Sequence, residues 1–563
     1  MSHHPYKGFS PAWYTEKSPE KSYRSIFKWG DPAQYKIPRE ALYKLFKERC
    51  GFGDDYCQEI KFAGLEKVDA EIAPALTADE IDALVSFVGG DAASDTYTRL
   101  AVSYGQTMLD LLRLRRKQIE GLTDLVLYPS STAEVEKIVS YCDGRKIGVY
   151  VYGGGSSVTC GVEPKVKRCV TIDTRKKLSK VMAFNKINQA VTVQPGISGP
   201  DLEKYLNNPA NFDDGQAYTL GHFPQSFEYS CVGGWVVTRG AGQNSTFYGK
   251  IEDMVLSQTY VTPVGTFTTD SSPRKAAGPD INHIMMGGEG AFGVLTEVTL
   301  YVHKLSAKHK RFSFMFRDFE SGTAALREVM QSDNGYPSVF RISDAEETEL
   351  GFHLYGVAGT PLETLLKARG YRIGEACLML GFTDGAPGLQ KNVAAAVKRT
   401  ARKYGGMSLT GYVTAMWEKG RFSDPYMRDN AQDFGMIIDT LECAVNWDNL
   451  AYVHQYVRKF VKSRPNTICT THVSHCYPAG ANLYFIWMMK EDESIEEFKK
   501  FHSGILNAIC ESGASMSHHH GIGKLFAPYN VKSLGETKMN ILRTLKNHFD
   551  PNGIMNPGGT LGF

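Results

Sequence analysis

The chain has 563 residues, 42% of them hydrophobic and 22% charged, which is long and apolar enough for two or more domains around sizeable cores and excludes a disordered chain. Its 63 basic and 61 acidic side chains nearly cancel, and the absence of any basic run or aromatic-interleaved basic patch excludes a nucleic-acid binder. No window reaches eighteen apolar residues free of charge, and Met1-Ser2-His3-His4-Pro5-Tyr6-Lys7 leads into no apolar run, so no transmembrane segment is expected.

In chain order, residues 1–110 mix polar turns with short helical patterns such as 39–49 and carry the aromatic stretch Phe27-Lys28-Trp29-Gly30-Asp31. They read as an accessory segment. From Leu125 the texture changes to short β-rich runs between glycine turns, with strands expected over 125–128, 149–152, 169–172, 190–193 and 254–260. Between the first two, Ser131 or Thr132 opens a helix with Glu134 and Glu136 in its first turns and Val135, Ile138 and Val139 on one face. Residues 111–304 thus form one α+β domain. A second domain over 305–510 alternates strands (311–315, 376–382, 482–488) with helices (322–330, 392–404, 494–510), and 511–563 returns to the first with a helix near 534–549. The eleven cysteines, at 50, 57, 142, 160, 169, 231, 377, 443, 469, 476 and 510, show no paired zinc spacing and an odd count, which points to a reducing compartment.

The most informative motif is Ser517-His518-His519-His520-Gly521-Ile522-Gly523-Lys524. Three adjacent imidazoles beside a glycine turn suit proton transfer or anion binding. A metal cluster is disfavoured because neighbouring residues point apart, and a self-satisfied polar loop is the bland alternative. Three glycine-rich stretches lie upstream. Gly153-Gly154-Gly155-Ser156-Ser157-Val158-Thr159 follows a strand directly, so its amides can face an anion with no Cβ in the way. It lacks both the dinucleotide fingerprint and the Lys-Ser/Thr of a triphosphate loop. The second spans Pro224, Gln225, Ser226, Tyr229, Ser230, Gly233, Gly234, Thr238, Arg239, Gly240 and Ala241, and the third spans Gly287, Gly288, Glu289, Gly290, Ala291, Gly293, Val294 and Leu295.

In this order, and with Asp550-Pro551-Asn552 and the histidine run, these stretches resemble the vanillyl-alcohol oxidase superfamily of flavoproteins, and within it the alkyldihydroxyacetonephosphate synthases. The resemblance covers the chain from Lys28 to the end. It implies a two-subdomain FAD-binding module with an α/β cap domain over the substrate. FAD would be bound without a covalent link, with His222 and Cys231 as the nearest reservations. Residues 153–159 would wrap the diphosphate, and Pro224, Gln225, Ser226, Tyr229, Ser230, Thr238, Arg239, Gly240, Ala241, Glu289, Gly290, Ala291, Gly293, Val294 and Leu295 would line the rest of the cofactor. The implied reaction exchanges the acyl group of acyl-dihydroxyacetone phosphate for a long-chain alcohol without net redox. The family's phosphate, base and acid positions fall on Arg341, Arg428, Tyr484, His518, His519 and His520, with His519 expected to face the substrate because side chains alternate along an extended segment. No metal is implied.

Two departures stand out. Residues 240–247, Gly-Ala-Gly-Gln-Asn-Ser-Thr-Phe, stand where the synthases resemble Ala-Ser-Gly-Met-Lys-Lys-Asn-Ile, so two positive charges are gone, and Asp439-Thr440 replaces Glu-Ser. No peroxisomal signal is recognisable, so the expectation is a cytoplasmic, membrane-peripheral homodimer acting on a lipid-like or small anionic substrate. The rival is an FAD-linked dehydrogenase or oxidase of a hydroxy acid or phenolic alcohol, with the histidines and Tyr484 deprotonating the hydroxyl. A non-enzymatic binding module would not need the flavin loops and the charged cluster together.

Overall fold

The computed structural model describes residues 17–53, 55–56, 60–69, 71–491 and 494–563; the opening heptapeptide and Cys57 lie outside them. Three larger sheets organise the chain, beside a two-stranded one of Tyr218–Thr219 and His303–Lys304. In the first, Leu125–Leu127 and Gly148–Tyr152 both pair in parallel with Cys169–Asp173, and Ala92–Ala93 closes the edge. The crossover is the helix Thr132–Arg145, whose N-cap Ser131 accepts from the Glu134 amide and whose Val135, Ile138, Val139 and Cys142 are buried against the sheet. The second sheet is antiparallel, in the order Val181–Asn185, Ala190–Val193, Val294–Tyr301, Val255–Thr262, Gly265–Thr268. The third has seven strands, ordered Met407–Ser408, Lys310–Phe316, Cys377–Thr383, Val339–Ser343, Ile468–Cys476, Gly480–Lys490, Met436–Asn446. This is the α+β, two-domain architecture of an FAD-binding module with its cap.

The seven-stranded sheet has two apolar faces with different uses. One face sends Phe340, Ile342, Val473, Leu483 and Phe485 into a core with the helices Phe319–Met330, Pro387–Lys403, Leu450–Val461 and Ile495–Glu511. The alternate residues of the same strands line a cavity, as the period-2 geometry of a strand requires.

The 1–110 segment is built into this assembly, a correction to its reading as an accessory. Arg24 forms two hydrogen bonds to Asp433, at 2.8 and 2.9 Å, and Arg115 reaches the same carboxylate at 2.6 Å. The Trp29 amide donates to Asp429 at 2.7 Å. These buried charges tie the N-terminal segment and the helix Met108–Arg115 to the helix Asp424–Asp433, which carries Arg428. The C-terminal helix expected near 534–549 is Glu536–Phe549, and Gly535, with a φ of +80°, separates it from the short helix Asn530–Leu534.

Candidate active site

One cavity of about 760 Å³ runs between the first two sheets and the cap sheet. Its floor is the loop 153–159. A Cβ on Gly154 would lie 2.2 Å from the Tyr229 carbonyl oxygen and 2.6 Å from the Ser230 Cα, so the loop lies directly on that backbone. No acceptor among the described residues takes the amides of Gly154, Gly155, Ser156, Ser157 or Val158. A row of such donors on a glycine loop fits a diphosphate, and bound FAD would supply the two-electron chemistry of its isoalloxazine ring. Cys231, at the back of this loop, is a buried free thiol, and burial pushes it up to about 12. His222 is buried with both ring nitrogens unpartnered among the described residues, and burial lowers it to about 3.

Facing the loop, Arg341, Thr440, Thr470, His472, Ser474 and Tyr484 project from the cap sheet, with Glu347 behind Arg341. His472 and Tyr484 sit opposite each other in register, their rings stacked at 5.0 Å. Arg341 pairs with Glu347 at 2.5 Å, and His472 Nδ1 meets the same carboxylate at 2.9 Å. Burial opposes ionisation of Glu347, but His472 and Arg341 outweigh it and hold the carboxyl at about 2. Arg428 donates to the Gln106 carbonyl and side-chain oxygen at 3.0 and 2.8 Å and lies over the Trp29 ring. The Nε atoms of Arg341 and Arg428 are buried without an acceptor among the described residues, an arrangement suited to an anion. Burial pushes Tyr484 up to about 12 against the hydrogen bond to Thr440, so its phenol keeps its proton at neutral pH. Asp439, one position from Thr440, is raised to about 7 by burial against the Thr440 amide and Arg428.

The histidine loop is shaped by one carboxylate. Glu442, buried in the strand Met436–Asn446, accepts the backbone amides of His518, His519 and His520 at 2.8–3.0 Å, with Ser517 Oγ and Asn482 Nδ2 at 2.8 Å. Three consecutive amides converging on one acceptor curl the segment, so the extended alternation expected for the histidines does not hold. His519 and His520 both face the cavity, and His518 turns behind them. Glu442, His519 and His520 stand close enough to share a metal, but the carboxylate's acceptor capacity is spent on the chain. In the second such group, Asp110, Cys160 and Glu163, the Glu163 carboxylate is taken by Arg113 at 2.8 Å.

Of the expected cofactor residues, Gly153, Gly154, Gly155, Ser156, Ser157, Val158, Thr159, Pro224, Gln225, Ser226, Thr238, Gly240, Ala241, Glu289, Gly290, Gly293 and Leu295 line the cavity. Tyr229, Ser230, Arg239, Ala291 and Val294 do not. Tyr229 and Ser230 back the glycine loop, the latter accepting from Trp235 Nε1. Arg239 turns away to Glu252 at 3.3 Å, and Ala291 and Val294 pack into apolar cores. Glu289 is a brace: its carboxylate accepts the Ile522 and Gly523 amides at 2.6 and 2.8 Å and so joins the histidine loop to the FAD module. The sequence reading missed Glu442, Glu347, His472, His475 and the wall position of Trp29.

Residues 123–271 match the FAD binding domain family and residues 306–560 the C-terminal domain of FAD linked oxidases. The cavity and these matches define an FAD-dependent enzyme that holds its cofactor without a covalent bond. The chain belongs to the vanillyl-alcohol oxidase-type family of FAD-linked oxidases that includes the alkyldihydroxyacetonephosphate synthases. It is 32% identical to the alkyldihydroxyacetonephosphate synthase of Dictyostelium discoideum, over 84% of this chain and 78% of that protein. It is 30% identical to an uncharacterized FAD-linked oxidoreductase of Escherichia coli, over 85% and 97%. A solved alkyldihydroxyacetonephosphate synthase superposes with a TM-score of 0.80 at 26% identity, covering 94% of this chain and 98% of the other.

Proposed function

We propose that the protein is an alkyldihydroxyacetonephosphate synthase-like transferase, exchanging the acyl group of an acyl-dihydroxyacetone phosphate for a long-chain alcohol. The observation that carries this reading is the continuity of the cavity. Its lining combines the flavin cradle, the two arginines and the histidines with an apolar arm of Leu350, Phe352, Leu366, Leu409, Val413 and Met416, and includes Tyr412, which is 70% exposed. A small hydroxy acid would leave this arm empty, whereas an alkyl chain buries about 0.8 kcal/mol per methylene there. In this reading Arg341 and Arg428 hold the phosphate, His519 takes the proton, and Tyr484 donates one to the departing group. The same reading implies a cytoplasmic homodimer that touches the membrane peripherally to draw its substrate; no described helix is long and apolar enough to cross one.

The pairing of Arg341 with Glu347 favours a second reading. An arginine already half neutralised suits a less charged substrate, such as a hydroxy acid or alcohol undergoing dehydrogenation. Purified protein given palmitoyl-dihydroxyacetone phosphate and labelled hexadecanol, with no electron acceptor, is expected to form the ether product. The His519→Ala variant is expected to lose turnover by roughly 10²- to 10⁴-fold. Flavin bleaching by a small 2-hydroxy acid, with no exchange, would replace this reading by the second.

Arg428→Lys keeps the charge but loses the planar fork that grips Gln106. Substrate binding, followed by flavin-difference titration, is expected to weaken roughly tenfold at normal FAD content. Unchanged affinity would remove Arg428 from the phosphate site.

A further inference from the structure

We infer that His472, held by Glu347, is the base that takes the hydroxyl proton of the incoming alcohol, a second proton acceptor in the cavity beside the histidine loop. The inference rests on the proposed acyl-for-alkyl exchange and names the group that activates its second substrate.

Three neighbouring strands each place one side chain in a row. Ser343 lies in register with His472, and His472 with Tyr484, and all three line the cavity. The His472 ring stacks on the Tyr484 phenol with centroids 5.0 Å apart and planes 12° from parallel, and His519 stacks on the same phenol at 6.0 Å. His472 thus stands among the groups that act in the proposed exchange.

The carboxylate behind it is fixed in place. Glu347 sits in the first turn of the helix Ala345–Leu354, whose N-cap Asp344 accepts the Glu347 amide at 2.8 Å, and a helix N-terminus favours negative charge. Its two oxygens are divided. Oε1 accepts from Arg341 at 2.5 Å and from Ser343 Oγ at 3.1 Å, and Oε2 meets His472 Nδ1 at 2.9 Å. With its carboxyl held at about 2, Glu347 is ionised at neutral pH, and an ionised carboxylate only accepts. The hydrogen bond therefore requires the proton of His472 on Nδ1, and a neutral imidazole then carries its lone pair on Nε2. Nδ1 makes the one hydrogen bond of this ring among the described residues, on a side chain that lines the cavity. Burial, with Arg341, keeps His472 below the usual histidine range against the pull of Glu347, so the ring is neutral and able to accept a proton.

The same helix carries part of the apolar lining. Glu347, Leu350, Gly351 and Leu354 all line the cavity and recur at the spacing of one helical face. Leu350 stands about one turn from Glu347, so an alkyl chain laid along this face brings its hydroxyl end to the row of Ser343, His472 and Tyr484.

The step balances. The C1–O bond to the acyl group breaks, its electrons leaving with the carboxylate, and a lone pair of the alcohol oxygen forms the new C1–O bond. As it forms, the O–H bond breaks and the proton passes to His472 Nε2, giving an imidazolium beside the Glu347 carboxylate. Tyr484, having given a proton to the departing group, ends one short while His472 ends with one extra, and exchange in the cavity they both line restores the two. One ester and one alcohol become one ether and one fatty acid with no net oxidation. His519 is left to the proton at C1, which returns to that carbon.

His472→Asn removes the Nε2 base and keeps a donor for Glu347. On the FAD-loaded full chain with palmitoyl-dihydroxyacetone phosphate, ether formation from labelled hexadecanol is expected to fall roughly 100-fold. From 2,2-difluorohexadecanol, whose more acidic hydroxyl depends less on a base, the fall is expected to stay under about tenfold, at unchanged FAD content. Parental transfer from hexadecanol, or an equal fall with both alcohols, would overturn the assignment and return His472 to packing against Tyr484. A parental protein that forms no ether from either alcohol would overturn the exchange reading, and this inference with it. A second measurement needs no variant: ¹⁵N NMR of the histidine-labelled parental protein is expected to show His472 neutral with its proton on Nδ1. A proton resting on Nε2 would overturn the inference while leaving the exchange reading in place.

Discussion

Replacing Glu442 with alanine is expected to abolish turnover and lower the melting temperature while FAD stays bound. The carboxylate is buried and serves five donors: the amides of His518, His519 and His520, Ser517 Oγ and Asn482 Nδ2. Leaving a buried donor unmade costs about 1–3 kcal/mol. Relaxation of the loop recovers part of that, so a net loss of about 3 kcal/mol is a fair expectation against a total stability of roughly 5–15 kcal/mol. The loop would not leave altogether, because Glu289 still holds the Ile522 and Gly523 amides and Ala444 the Ser515 amide. What is lost is the curl that aims His519 and His520 together. Glu442→Gln keeps a carbonyl oxygen for the amides and should retain more stability than activity. Calorimetry with a flavin absorbance spectrum checks both; an alanine variant with parental turnover would show that the histidines need no such clamp.

That clamp also marks where the sequence stops being readable. Local chemistry was legible: Ser131 before Glu134 gave a capped helix, and a glycine triple directly after a β-run gave a loop with unclaimed amides. The histidine run announced itself because nothing about core packing explains three adjacent imidazoles. The strand Gly480–Lys490 was visible as a strand, yet its facing was not, since apolar side chains occupy both faces and the pattern does not alternate. Tyr484 could be assigned to the cavity only by resemblance. Glu442 is a single acid between Leu441 and Cys443, and its five partners come from two segments remote in sequence, Asn482 and residues 517–520. His475 is hidden more deeply, because the register of its strand shifts between Ser474 and Cys476, His475 takes a φ of +50° and lines the cavity, and no local signal marks that shift. Trp29 reaches the cavity through buried ion pairs between residues some 400 positions apart, a distance over which composition says nothing. The accessory reading of the N-terminal segment failed for that reason.

Replacing Gly154 with alanine is expected to abolish FAD binding, and with it every activity. The added methyl would meet backbone on two sides, the Tyr229 carbonyl oxygen at 2.2 Å and the Ser230 Cα at 2.6 Å. Neither can swing away as a side chain would. The Tyr229 and Ser230 backbone is itself anchored, with both amides on the Ser226 carbonyl and Ser230 Oγ on Trp235. The loop would have to lift instead, carrying with it the row of amides that faces the diphosphate site. Overpacking of this kind costs about 1–3 kcal/mol in the free protein, but the larger penalty falls on binding, because several hydrogen bonds to one anion are displaced at once. An affinity loss of at least about 100-fold, near 3 kcal/mol, follows. The ratio of flavin to protein absorbance after gel filtration is the measurement, with far-UV circular dichroism to show that the sheets persist. Gly388→Ala is the control, since a Cβ there meets nothing within 4 Å and the residue lies in the helix Pro387–Lys403 of the cap. A Gly154→Ala protein that is fully yellow would mean that the loop does not hold the cofactor, and the amides of residues 154–158 would need another ligand.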